Sequence, residues 1–181
     1  MWVVGSPQTL SEADRRAVAL WAADCAERVL PLFEAEAPSD GRPADAIVRA
    51  RAFGRGELDA AGQIRQRFVA GRAAGVVSDP AAVAAARSAA QASGVAHMGA
   101  HALGAAAYAA KAAGLAANPD DAVDAEIAWQ LGHMTQPVRE ALRRLPLLGE
   151  DPSGPLGSGL LASGVLGSVI RKLQAGLAEP A

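Results

Sequence analysis

Two imidazoles, a phenol and an ammonium are set into Gly94–Lys111, a stretch otherwise dominated by alanine and glycine. At roughly 100° per residue, a helix would place His97, His101, Gly104, Tyr108 and Lys111 in one narrow sector. Gly104 leaves room between His101 and Tyr108. Imidazole titrates near neutral pH, so a histidine in an apolar cleft takes and returns a proton without a cofactor. Tyr108 suits an enolate or carbonyl oxygen, and Lys111 supplies charge at a cleft mouth. A third histidine, His133, lies one turn beyond Trp129 on another apolar segment, an aromatic plate beside a base. The expected catalytic set is therefore His133, His97, His101 and Tyr108. Trp129, Trp21, Met98, Lys111, Gly104 and Asp24 are the expected substrate-binding residues.

The same residues admit other readings. His97 and His101 have the i, i+4 spacing of helical metal sites, but Met98 stands where a zinc protease needs glutamate. A third ligand would have to come from elsewhere, such as His133 or Asp24, so no metal and no cofactor is expected. A structural role, with each histidine making one buried hydrogen bond, also fits. Asp24 and Arg28 are expected to pair at i, i+4, while a role for Asp24 in orienting a histidine stays open. Cys25 falls in an apolar stripe as a small core residue. Alanines and glycines around the histidines imply either close helix approach or a cavity.

The elements that must position these groups are helical. Ser11 caps a first helix with Val18, Trp21, Ala22, Cys25, Val29, Leu32 and Phe33 on one face, and Pro31 is expected to kink it or end its regular part. Pro43 opens a second, short helix with Ile47, Ala50 and Phe53. A third is expected over about 57–77, burying Ala60, Ile64, Phe68, Gly71 and Gly75. Asp79-Pro80 starts the next, and residues 80–117 read as one long helix or two parted near Ser93-Gly94. Asn118-Pro119 opens a helix striped with Val123, Ile127, Leu131 and Met134, and Pro137 divides it from Val138–Leu145. No alternation typical of strands occurs, which predicts an all-α, single-domain bundle of about five to seven helices.

The expected organisation is an N-terminal extension (1–9), a helical domain (10–148), a Gly/Pro/Ser-rich linker (149–159) and an amphipathic tail helix (160–181). The tail helix carries Val165, Leu166, Val169, Ile170, Leu173 and Leu177 on one side, and so needs its own domain or a partner subunit to cover it. Lys plus Arg number 17 against 19 Asp plus Glu in 181 residues, a net charge of −2. That balance argues against nucleic acid or a membrane surface as partner. No signal peptide and no membrane span is read, and the single cysteine fits a reducing cytoplasm.

Leu20-Trp21-Ala22-Ala23-Asp24-Cys25-Ala26-Glu27-Arg28-Val29-Leu30-Pro31-Leu32-Phe33-Glu34, the Asp40–Pro43 loop with Ala46-Ile47, and Ala96-His97 followed by His101–Ala106 and Tyr108-Ala109 together carry a resemblance. Over roughly residues 10–145 the chain resembles the Imm5-like group of bacterial immunity proteins, which are small and all-helical. The resemblance implies a helical domain with the histidine-bearing helix inside, shared His101 and Tyr108, and toxin neutralisation as function. Near Trp129 the chain departs from the family pattern, with Gly132-His133-Met134 where Arg or Leu-Pro is usual.

The residues themselves favour a cofactor-free acid–base enzyme on a small, largely apolar carbonyl compound. Dehydration, Michael-type addition or cyclisation, as in bacterial secondary metabolism, would suit them. An immunity-like protein that binds a toxin is the alternative, and a small-molecule carrier a second. The expected partner is thus a small apolar molecule or a toxin protein, with a homodimer through the tail helix as a further option.

Overall fold

The computed structural model describes residues 5–66 and 68–180. Residues 1–4 of the expected extension, Arg67 and Ala181 lie outside the described residues. Most of the remainder is helical, and no strand occurs among the described residues. Helix α1 spans Glu12–Glu36, with the Ser11 hydroxyl accepting from the Asp14 amide at its start. It runs through Pro31 instead of ending there: Val29 and Phe33, buried on either side, outweigh the one lost hydrogen bond. Helix α2 spans Arg42–Gly54 and buries Ile47, Ala50 and Phe53, as its spacing predicts.

The 57–77 stretch departs from expectation. It divides into α3 (Ala60–Gln66), α4 (Val69–Ala73) and a 3-10 turn at Ala74–Val76. Gln63, Ala70, Ala73 and Ala74 are buried there, whereas Phe68 is 60% exposed and Gly71 and Gly75 face solvent. Three glycines in this stretch weaken helix propagation, and the break shifts the register of the buried face. This division takes the number of helical segments above the five to seven expected.

Helix α5 covers Pro80–Gly94, with the Asp79 carboxylate capping the Ala82 amide at 3.1 Å, and α6 covers His101–Ala116. Residues 80–117 are therefore two helices. The turn between them is tied to the N-terminal segment, where Thr9 and Gln8 carbonyls accept from the Gly99 and Ala100 amides at 2.9 and 3.0 Å. Contacts between Ser88 and Ala105, and between Gln91 and His101, make α5 and α6 an antiparallel pair. Helix α6 is the centre of the bundle, packed against α5, α1, α7 (Pro119–Gly132) and α9 (Gly164–Ala178).

Every residue from Ala102 to Ala110 is buried. The Ser88 hydroxyl donates to the Ala105 carbonyl at 2.8 Å, and the Gln130 amide donates to the Ala106 carbonyl at 2.9 Å. Side chains of two neighbouring helices thus reach the backbone of α6. Of the two outcomes the alanines allow, close approach is the one realised along this segment.

Helix α8 (Gln136–Arg143) follows α7, with Thr135 as its cap. Residues 149–159 lie against the bundle: Leu156 is buried, and buried Gln8 donates to the Asp151 carbonyl at 2.9 Å while accepting from the Leu156 amide at 2.8 Å. The apolar face of α9 (Leu166, Val169, Ile170, Leu173, Leu177) is covered by α6, α7 and α8 of the same chain.

Candidate functional site

The five residues expected in one helical sector are not brought to one place. His97 lies in the turn before α6 and is exposed, while His101 is the first residue of that helix. Both open on a concavity of about 590 Å³ that also includes Phe68, Arg72 and Gln91. His101 Nδ1 sits 2.9 Å from Gln91 Oε1. Two glycines make room for that pair, since a Cβ on Gly94 would lie 3.0 Å from the His101 ring and one on Gly104 would collide with the Gln91 amide. Met98 is half-buried, with its sulfur beside Gly154.

Tyr108 and Lys111 border a different concavity, of about 490 Å³, with Ser78, Val83, Arg87 and Leu115. The separation has a simple cause. The chain breaks before α6, and from His101 to Lys111 the helix rises about 15 Å.

His133 also stands apart from His97 and His101, so the expected convergence of three imidazoles does not occur. It ends α7, where a polar seam joins that helix to α1. Buried Trp21 donates its indole N–H to the Gln130 carbonyl at 3.0 Å. Arg28 makes a two-bond pair with Glu126 at 2.8 and 3.1 Å. His133 Nε2 lies 3.0 Å from Asp24 Oδ2. The other Asp24 oxygen accepts from Arg51 of α2 at 2.7 Å, and Arg51 also forks onto Glu27 at 2.6 and 2.8 Å.

The expected Asp24–Arg28 pair is replaced by these contacts. Arg28 instead reaches buried Glu126, whose carboxylate has greater need of a counter-ion than exposed groups do. Asp24 does orient a histidine, as the open alternative allowed.

Trp129 occupies the middle of this seam. The His133 ring stacks on it at 4.4 Å between centroids and 16° between planes, and the Arg28 guanidinium lies 4.0 Å from its centroid. Both stacking partners are pinned from beneath, Arg28 by Glu126 and His133 by Asp24. The hydrogen bond from Arg51 holds Glu27 below the usual carboxylate range, and the bonds to Glu27 and Asp24 raise Arg51. The Glu126 bond likewise raises Arg28.

Beside the seam, Ala17, Leu20, Trp21, Asp24, His133, Thr135, Pro137 and Val138 form a groove of about 350 Å³. Its walls are mainly apolar, with the Asp24–His133 pair as its polar end. Among the described residues, no three histidine, cysteine or carboxylate side chains gather as a metal ion would require.

Arg51 and Glu126 were not singled out from sequence, and Arg28 was assigned only to Asp24. Glu126 had a signal: it sits beside Ile127 within the apolar stripe of its helix, where an acid needs a partner from another element.

Beneath the seam, burial pushes the Cys25 thiol well above its ordinary range, with the nearby Glu126 and Asp24 charges adding to the effect. Ellman's reagent at pH 8 should therefore leave the native protein unmodified and label one thiol per chain in denaturant. Stoichiometric labelling of the native state within minutes would contradict the buried placement.

Comparison with known families places this geometry in context. The model of the family described as Imm-5 like putative immunity protein matches residues 8–137, from the segment before α1 to the first turn of α8. No curated protein and no solved structure matches the chain. No helix among the described residues is long and apolar enough to cross a membrane. The match spans well over half of the 181 residues and includes Trp129, His133 and their α1 partners. The chain belongs to the Imm-5 like putative immunity protein family.

Proposed function

We propose that this protein binds and neutralises a bacterial toxin protein, with the α1–α7 seam as its contact surface. Family membership over residues 8–137 is the observation that carries the reading. The seam supports it on physical grounds. Tryptophan and arginine are the residues in which binding energy concentrates at protein interfaces, and here both are held before a partner arrives. Trp129 is stacked, Arg28 is forked onto a buried acid, and His133 is tied to Asp24. Little conformational entropy is left to lose when such groups are covered. Leu20, 37% exposed on the adjoining groove, extends the patch with apolar surface.

The enzyme expectation required one pocket gathering His97, His101 and His133, and the three line two separate concavities. The toxin reading needs no shared pocket.

Co-expression with the toxin encoded beside the gene is the direct test. The expected result is restored growth and co-purification of the two chains as a stable complex. Continued killing, with both proteins present at comparable levels, would sink the reading.

A further inference from the structure

We propose that the concavity between α5 and α6 bounded by Ser78, Val83, Arg87, Tyr108, Lys111 and Leu115 binds a small organic oxyanion, a phosphate monoester with a short apolar or aromatic body. The inference is independent of the toxin reading and uses none of the α1–α7 seam.

Three observations carry it. First, the two cations there lack the carboxylate partner that seven others in this chain have. Arg16, Arg28, Arg42, Arg51, Arg55, Arg144 and Lys172 all meet a carboxylate. Arg87 and Lys111 meet none among the described residues, and they face the same hollow. Asp79, the acid nearest in sequence to Ser78 and Pro80 in its wall, is engaged with the Ala82 amide at the start of α5. Two positive charges without a carboxylate partner at one concavity favour an anion there.

Second, Tyr108 is only 4% exposed, yet its hydroxyl has no hydrogen-bond partner among the described residues. The ring is held in the core while the hydroxyl keeps contact with solvent, and Tyr108 borders the concavity, so that oxygen is open to whatever enters. Ser78 adds a second hydroxyl on the opposite wall.

Third, the hollow has the size and mixed lining of a small-molecule site. Its volume is about 490 Å³, and Pro80, Val83, Ala84 and Leu115 supply apolar wall beside the polar groups. Leu115 is 48% exposed, leaving apolar surface for a ligand body to cover. Helical spacing explains the arrangement: Val83 and Arg87 are one turn apart on α5, and Tyr108, Lys111 and Leu115 follow i, i+3, i+7 on α6. Terminal phosphate oxygens can take both cations and the phenol together, which a neutral ligand cannot.

Titration of the full chain with phenyl phosphate tests this, with inorganic phosphate and benzyl alcohol as partial probes. The sequence has one tyrosine, so its ring resonances report on the site without ambiguity. Saturable shifts of Tyr108 by phenyl phosphate are expected, with inorganic phosphate at least several-fold weaker and benzyl alcohol weaker still. Arg87→Gln with Lys111→Gln should weaken phenyl phosphate about 30-fold, and raising salt to about 0.5 M should weaken it several-fold. Tyr108→Phe, which removes one oxygen and keeps the ring, should weaken it about 5-fold at an unchanged melting temperature. Calorimetry reads binding in that variant and keeps the test open if the double variant does not fold. Absence of saturable phenyl phosphate binding overturns the proposal. So does benzyl alcohol binding equally well, or an affinity unchanged in both variants.

Discussion

Replacing Trp129 by alanine is expected to weaken the complex with the cognate toxin by about 100-fold while leaving the protein folded. The indole is the shared plate on which the Arg28 guanidinium and the His133 ring rest. Its removal uncovers both groups and lets them sample conformations that a partner would then have to restrict. Truncation of a central tryptophan or arginine at an interface costs roughly 2–4 kcal/mol, or about 30- to 1,000-fold in affinity. Trp129 is half-buried at the rim of the core, so its loss lowers stability far less than loss of a core side chain would. Surface titration calorimetry on the purified pair measures the affinity, and a melting curve separates unfolding from lost contact. Phe68→Ala, in the concavity that holds His97 and His101, is the matched control and should bind as wild type does. Undiminished binding by the Trp129 variant, with wild-type neutralisation intact, would remove the seam from the interface and leave the toxin reading standing.

The second large effect is on stability. Ala106→Leu should destabilise the protein by about 3 kcal/mol and lower its melting temperature by about 6–12 °C. Ala106 is fully buried at the middle of α6, and its carbonyl accepts from Gln130 of α7. Neighbouring Ala105 accepts from Ser88 of α5, so the backbone here is approached from two sides. An isobutyl group has no empty volume to enter, and it can be accommodated only by separating helices that alanine lets close. Ala128→Leu, on the exposed side of α7, changes hydrophobicity by the same amount and should shift stability by about 0.5 kcal/mol or less. Urea denaturation of both variants makes the comparison. Equal midpoints would mean that α6 is not closely packed.

These expectations mark the line between local and tertiary information. Helix starts at Ser11, Pro43, Asp79-Pro80 and Asn118-Pro119 were legible from sequence, because a cap or a first-position proline acts on the backbone within one turn. The buried face of α9 was equally legible except at Val165, which is exposed, because large aliphatic residues recur there at the helical period. The family resemblance, carried by the unusual composition of α1 and α6, agrees with the match over residues 8–137.

Residues 80–117 resisted, because alanine suits either face and either side of a break. Only the backbone bonds that the Gly99 and Ala100 amides donate to Thr9 and Gln8, about ninety residues earlier, show where α6 begins. With that break, a row of groups that looked like one site became two separate hollows.

Partner choice resisted for a related reason. Sequence spacing offers Arg28 to Asp24, but a buried carboxylate on α7 and a guanidinium on α2 compete for them across space. Residue types and local periods were determined by the sequence on its own: the helices, their caps, and His133 beside Trp129. Which charges meet, and which are left facing a hollow, was decided only when α1, α2, α5, α6 and α7 closed on one another. Ionic contacts depend on distances that no single element sets.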